Sequence, residues 1–237
     1  MMDVYWLEQT EANVPAEDDW LSESEAAHLS GLLVPKRRAD WRLGRWTAKR
    51  ALAACLKLPT DTQGLKRLEI RPAPSGAPEA FLADQPAGVR ISISHRAGSA
   101  VCSVAMSDAA LGCDLELIEP RSYAFTADYF TTEEQVLVSR SSVADRPRLI
   151  ALIWSAKESA LKALQTGLRL DTRCMAVSPT DAVRGWVQHA PEDWRPLEVR
   201  YAGGQSFHGW WRHAGNFLLT LVAAPPPGSP ILLKIAP

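Results

Sequence analysis

A mixed α+β fold follows from three observations. Two long helical patterns lie at about 35–57 and 148–165, a block of strand-like segments fills 89–118 between them, and short strands and turns follow 172. In chain order, Ser22-Glu23-Ser24-Glu25 reads as a capping box that opens a short helix toward Leu33. Pro35 suits the first turn of the next helix, to Lys57, whose apolar stripe runs through Trp41, Leu43, Trp46, Ala48, Leu52 and Leu56. Gly44 interrupts that stripe and suggests a close approach. Residues 71–88, rich in Pro, Gly and Ala, read as loop with one short strand. Val89–Ser94, Ser99–Met106 and Ala110–Ile118 read as strands. Thr131-Thr132-Glu133-Glu134 signals another helix start, and the helix from Arg148 to Gln165 is closed by Gly167 at the C′ position. A Pro-rich tail follows Ala224, and no sequence repeat is read.

The composition, 46% apolar and 22% charged, is that of a globular protein, and the net charge of −1 leaves any anion site to local clustering. No basic-then-apolar leader opens the chain and no run of 18 apolar residues occurs, so the expectation is a cytoplasmic protein without a membrane span. The four cysteines, at 55, 102, 113 and 174, have no metal spacing and read as scattered buried thiols.

Three segments carry chemistry. In Leu111-Gly112-Cys113-Asp114-Leu115-Glu116, a strand places Asp114 and Glu116 on one face, about 7 Å apart, where a hard cation such as Mg²⁺ or Mn²⁺ relieves their repulsion. A solvated edge strand has the same pattern. In Trp154-Ser155-Ala156-Lys157-Glu158-Ser159-Ala160-Leu161-Lys162, Glu158 and Lys162 share a helix face one turn from Trp154, as a metal ligand, base or phosphate holder, or as a plain surface ion pair. Ser92-Ile93-Ser94-His95 ends a strand with groups able to bond an anion or a purine. A basic run adds Lys36, Arg37, Arg38, Arg42, Arg45, Lys49 and Arg50 against only Asp40, and Arg38, Arg42, Arg45 and Lys49 recur on one face suited to phosphate. Residues 1–25 hold eight acids and no Lys or Arg.

Taken together, Gly-x-Asp-x-Glu followed about 40 residues later by Trp-Ser-x-Lys-Glu-x-x-x-Lys resembles the signature of the 4′-phosphopantetheinyl transferase superfamily. The Ser-Ile-Ser-His strand and the Leu-Gly-Arg within the basic helix look like its Sfp-type branch. The resemblance covers about 35–170. It implies two similar α+β halves with pseudo-twofold symmetry, 1–108 and 109–237, and an active site in the cleft between them. It implies transfer of phosphopantetheine from coenzyme A to a serine of an apo acyl or peptidyl carrier protein, by a chain for which a monomer is sufficient. Asp114, Glu116 and Glu158 would hold Mg²⁺, with Glu158 as base. Lys162 would bind phosphate with Lys157 assisting, and Ser94, His95, Arg45 and Arg37 or Arg38 would hold the nucleotide end. Gly76-Ala77-Pro78 departs from the pattern, lacking the cation often found at the middle position. A metal-dependent phosphohydrolase of coenzyme A or a nucleotide would use the same carboxylates, and a nucleic-acid-binding module would use the basic run.

Overall fold

Local signals set most helix boundaries in the computed structural model, which describes residues 1–178 and 193–235. The chain divides into two compact units, Asp3–Ala109 with Pro230–Pro237, and Ala110–Ser229 with Met1–Met2.

The N-terminal unit starts with strand β1 (Val4–Thr10) and helices α1 (Glu23–Ser30), α2 (Pro35–Leu56) and α3 (Thr62–Lys66). Strands β2 (Leu68–Pro72), β3 (Pro78–Leu82), β4 (Gln85–Arg96) and β5 (Ser99–Ala105) follow, and β11 (Ile231–Leu232) completes its sheet. The sheet order is β11-β1-β5-β4-β3-β2, antiparallel except that β11 runs parallel to β1. Ser22 caps α1 in a full capping box, Pro35 opens α2, and Lys57 in the left-handed conformation closes it. Leu7, Trp20, Leu29, Trp46, Leu52, Leu65, Ile70 and Val104 form the core under α2. Residues 71–88 hold more strand than the sequence suggests. The β3–β4 turn is the two-residue pair Ala83-Asp84, both at positive φ, a geometry that normally selects Asn-Gly.

The C-terminal unit holds β6 (Ala110–Leu117), α4 (Tyr123–Tyr129), α5 (Thr132–Arg140), α6 (Arg146–Ala163), β7 (Met175–Ser178), β8 (Arg195–Tyr201), β9 (Ser206–Ala214) and β10 (Phe217–Ala224). Its antiparallel sheet has the order β6-β10-β9-β8-β7, and α6 packs on β6 and β10. Residues 179–192, part of the stretch expected to form short strands and turns, lie outside the described residues. The Gly167 cap expectation is corrected. Gln165 takes the left-handed C′ position, with Thr166 N–H bonded to Leu161 O and Gln165 N–H to Lys162 O, a Schellman motif two residues earlier.

The two units repeat one plan. The order β1-β5-β4-β3-β2 matches β6-β10-β9-β8-β7, and each unit packs one long helix on its sheet. Trp46-Thr47-Ala48-Lys49 of α2 matches Trp154-Ser155-Ala156-Lys157 of α6. In each unit the capping-box glutamate, Glu25 or Glu134, accepts a strand N–H, from Ile70 at 3.1 Å or Val177 at 2.9 Å. The same glutamate pairs with that fully buried lysine, Lys49 or Lys157. The sequence therefore does contain a repeat. Four matching residues are too few to stand out, and the shared glutamate–lysine pairing appears only in three dimensions.

Among the described residues no helix is long and apolar enough to cross a membrane. Cys102 and Cys113 are buried and Cys55 and Cys174 half-buried, all as free thiols.

Candidate active site

Gly112 explains how a strand and a helix come close enough to share chemistry. A Cβ there would lie 1.8 Å from Ser159 O and 2.8 Å from Ala163 N, so only glycine lets α6 lie directly on β6. Ser155 Oγ donates to Asp114 O at 3.2 Å, and Ser155 and Ser159 both bond the Thr220 hydroxyl, at 2.9 and 2.7 Å, which fixes the helix against β6 and β10. The strand pleat then turns Asp114 and Glu116 toward α6 on the side of Gly112.

The helix answers with Trp154, Glu158 and Lys162, one turn apart. Lys162 Nζ donates to Asp114 Oδ1 at 2.8 Å and to Cys113 O at 3.0 Å. Trp154 Nε1 donates to Glu116 Oε1 at 3.1 Å, and Arg121 reaches Glu116 Oε2 at 3.4 Å. Glu158 Oε1 is buried and has no hydrogen-bond partner among the described residues. Burial first, and then the negative field of Asp114, push the Glu158 carboxyl up to about 7; Lys162 opposes the shift and Glu116 adds to it. Burial pulls Lys162 down, but Asp114, Cys113 and Glu158 outweigh it and leave its ammonium above the ordinary lysine range.

The three carboxylates fit a hard divalent cation in donor chemistry, since all offer charged oxygen and Glu158 Oε1 has no other partner. They are not a preformed cage: among the described residues no three His, Cys, Asp or Glu side chains gather as a metal site. Glu116 is turned onto Trp154 and Arg121 instead.

Lys157 is corrected. Consecutive helix residues point about 100° apart, so Lys157 lies away from Glu158. It is fully buried, paired to Glu134 Oε2 at 2.8 Å and donating to Thr172 O and Met175 O at 2.9 and 2.7 Å. Its ammonium is consumed in the core and is not available to a phosphate.

In the N-terminal unit, a cavity of about 230 Å³ is lined by residues that include Trp41, Gly44, Arg45, Gly76, Ile93 and His95. A Cβ on Gly44 would meet Ile93 at 3.6 Å, an ordinary contact, so the close approach expected there is not required. Arg45 stacks over Trp41, its guanidinium carbon 5.0 Å from the ring centroid, with Glu25 at 3.9 Å behind it. The pleat puts the buried Ser94 side chain on the face opposite His95, so the two do not line one cavity.

The basic face of α2 is real, but most of it is spent inward. Arg42 bonds Asp18 at 2.7 Å and Pro15 O at 2.6 Å, Arg38 donates to Leu29 O, and Lys49 holds Glu25 and Trp20 O. Arg37 is exposed, and neither it nor Arg38 lines the cavity. The acidic first 25 residues supply much of the counter-charge. Sequence reading missed Arg121 and Ser155; Arg121 lies only five residues past Glu116, which was the available signal.

No curated protein matches the chain. Among solved structures, a holo-(acyl-carrier-protein) synthase from Bacillus anthracis str. Ames, in complex with CoA (3′,5′-ADP), aligns at 20% identity. It covers 44% of this chain and 94% of its own, with a TM-score of 0.37. The holo-[acyl-carrier-protein] synthase of Helicobacter pylori, in complex with coenzyme A, aligns at 20% identity over 43% and 96%, with a TM-score of 0.30. Residues 110–221, which carry Gly112, Asp114, Glu116, Glu158 and Lys162, match the family model described as the 4′-phosphopantetheinyl transferase superfamily. Through those residues, the C-terminal part of the chain is similar to the 4′-phosphopantetheinyl transferase superfamily.

Proposed function

We propose that the chain is an Sfp-type 4′-phosphopantetheinyl transferase that moves the phosphopantetheine arm of coenzyme A onto a serine of an apo acyl or peptidyl carrier domain. The match of residues 110–221 to the family model supports the reaction class. The observation that carries the chemistry is Glu158, a buried carboxylate with a partnerless oxygen and a proton affinity near neutrality, next to two more carboxylates and a lysine. A base poised near the working pH is what proton removal from a serine hydroxyl requires.

Asp114, Glu116 and Glu158 would hold Mg²⁺ or Mn²⁺, which when bound neutralises charge on the pyrophosphate as a Lewis acid. Lys162 has donated two of its three N–H groups, to Cys113 O and Asp114, and keeps one for a phosphate oxygen. In the reaction the carrier serine oxygen forms a bond to the β-phosphorus of coenzyme A. The bond from that phosphorus to the bridging oxygen breaks, and 3′,5′-ADP leaves with the electron pair. The hydroxyl proton passes to Glu158, and Lys162 stabilises the charge on the transferring phosphoryl group. No covalent enzyme intermediate is needed. Arg45 and His95, which line the cavity of the N-terminal unit, would contact the nucleotide end.

The test is to incubate the protein with coenzyme A, Mg²⁺ and a panel of apo-carrier domains and weigh the carriers by mass spectrometry. At least one should gain a phosphopantetheine arm, and EDTA should stop the gain. Absence of any gain with Mg²⁺ or Mn²⁺ sinks the proposal, and cleavage of coenzyme A without a carrier points to a phosphohydrolase.

A further inference from the structure

At the far end of the C-terminal unit's helix–sheet interface, positive charge is concentrated with no use in the reaction above. Arg195 opens β8 and lies opposite Trp211 of β9. The inward face of β9 continues from Trp211 to His213, and both are buried. Arg148 stands in the first turn of α6.

Arg195 is the anomalous group. It is 6% exposed, and none of its three guanidinium nitrogens has a hydrogen-bond partner among the described residues. Its guanidinium carbon lies 4.8 Å from the Trp211 ring centroid, so one plane is covered by the indole while its fork of donors is left unanswered. Asp193 supplies an attractive field but no hydrogen bond, and Arg148 adds repulsion. A buried guanidinium without partners is costly, and buried arginines in folded proteins are normally paired. The 18-residue α6 also directs its unsatisfied N–H groups and positive dipole end to this side. A helix start, a sealed guanidinium with free donors, a second arginine and a histidine all favour the same kind of guest.

We propose that Arg148, Arg195 and His213 form a binding site for a small tetrahedral oxyanion, phosphate or sulfate in kind, at the N-terminal end of α6. The planar fork of Arg195 suits two oxygens of such an ion at once. The ion would neutralise the cluster and tie α6 to β8 and β9. This site does not depend on the transfer reaction, so its failure leaves that proposal standing.

The experiment follows thermal unfolding of the full chain in low-millimolar inorganic phosphate or sulfate against chloride at matched ionic strength. Phosphate should raise the Tm of the wild type by about 3 °C or more. Arg195→Met should abolish the increment attributable to this site and raise the Tm in chloride, because an unpaired buried cation has been removed. Arg45→Ala should keep the increment, which excludes the cavity of the N-terminal unit as its origin. An arm with phosphoethanolamine separates free from esterified phosphate: an Arg195-dependent rise with the ester assigns the site to the phosphoryl group of a larger ligand, and a rise with the inorganic ions alone assigns it to the free ion. No difference between phosphate and chloride in the wild type overturns the proposal, as does an increment that is undiminished in Arg195→Met. If Arg195→Met does not fold, Arg148→Gln decides: the increment must shrink, and an unchanged one overturns the site.

Discussion

The two units carry the same buried device and put it to different use. In each, a capping-box glutamate holds a lysine from the long helix inside the core, and the helix reads Trp-Thr-Ala-Lys or Trp-Ser-Ala-Lys. The difference begins at the next residue. α6 continues with Glu158 and, one turn on, Lys162, whereas α2 continues with Arg50 and Ala54. The strand beside α6 presents Asp114 and Glu116, whereas β1, in the same place in the order, contributes Leu7 to the core of its unit. Charges needed for folding are therefore sealed and matched, and charges suited to chemistry stand beside them on the same helix with an unmet requirement. Burial lowers the proton affinity of both Lys49 and Lys157, and their glutamates oppose the loss, whereas burial raises that of Glu158.

That contrast can be broken most severely at α6. Glu158→Gln should reduce kcat by about 10²–10⁴-fold if Glu158 is the base, with the melting temperature unchanged or higher, while Arg50→Gln at the matching place should leave turnover within a few-fold. Equal effects would mean that the two helices are not divided as argued. The buried pairs come next. Lys49→Met and Lys157→Met should each cost about 3–5 kcal/mol in chemical denaturation, because a lone glutamate is then left in the core. A loss confined to Lys157 would show that the shared device is not equivalent in the two units.

The protonation of Glu158 sharpens the contrast in a different variable. Its carboxyl titrates near 7 when folded and near the ordinary glutamate value of 4.5 when unfolded. The folded state therefore holds the extra proton between these values, and stability should fall as pH rises from about 4.5 to about 7 and level off above. Subtracting the Glu158→Gln curve should isolate that slope, and Mg²⁺ should flatten it by favouring the ionised form. A difference curve that is flat without metal would refute the raised affinity. Gly112→Ala should cost about 1–3 kcal/mol through overpacking against Ser159 O. The smallest effect is expected in the basic helix: Arg45→Ala should raise KM for coenzyme A by about tenfold, the scale of one charge-assisted contact, and Arg37→Ala should leave it nearly unchanged.

What could be read from the sequence was local. Ser22 and Thr131 announce their helices because a capping box is complete within four residues. Asp114 and Glu116 could be placed on one face because a strand alternates with a period of two. The β2–β3–β4 meander was obscured because its last turn uses Ala83-Asp84 in place of the usual glycine pair. The direction of Lys157 and the engagement of Arg38, Arg42 and Lys49 depend on partners from 9 to 29 residues away in sequence, beyond any helical-face argument. Arg148, Arg195 and His213 come from three elements and leave no contiguous motif at all.

The ends of the chain are exchanged between the units. Met1–Met2 belongs with 110–229, and Pro230–Pro237 with 3–109, so the backbone passes from one unit to the other between residues 2 and 3, 109 and 110, and 229 and 230. Ile231 and Leu232 lie beside Tyr5 and Trp6, and Leu233 N–H bonds Trp6 O at 2.9 Å. A gene cut at the midpoint would therefore not encode two self-sufficient pieces. The first fragment would lack its outermost strand, and the second would carry that strand as an unpaired extension. Any reconstitution from halves would have to re-form the β1–β11 pairing between separate polypeptides, which makes this short strand a natural handle for split-protein complementation.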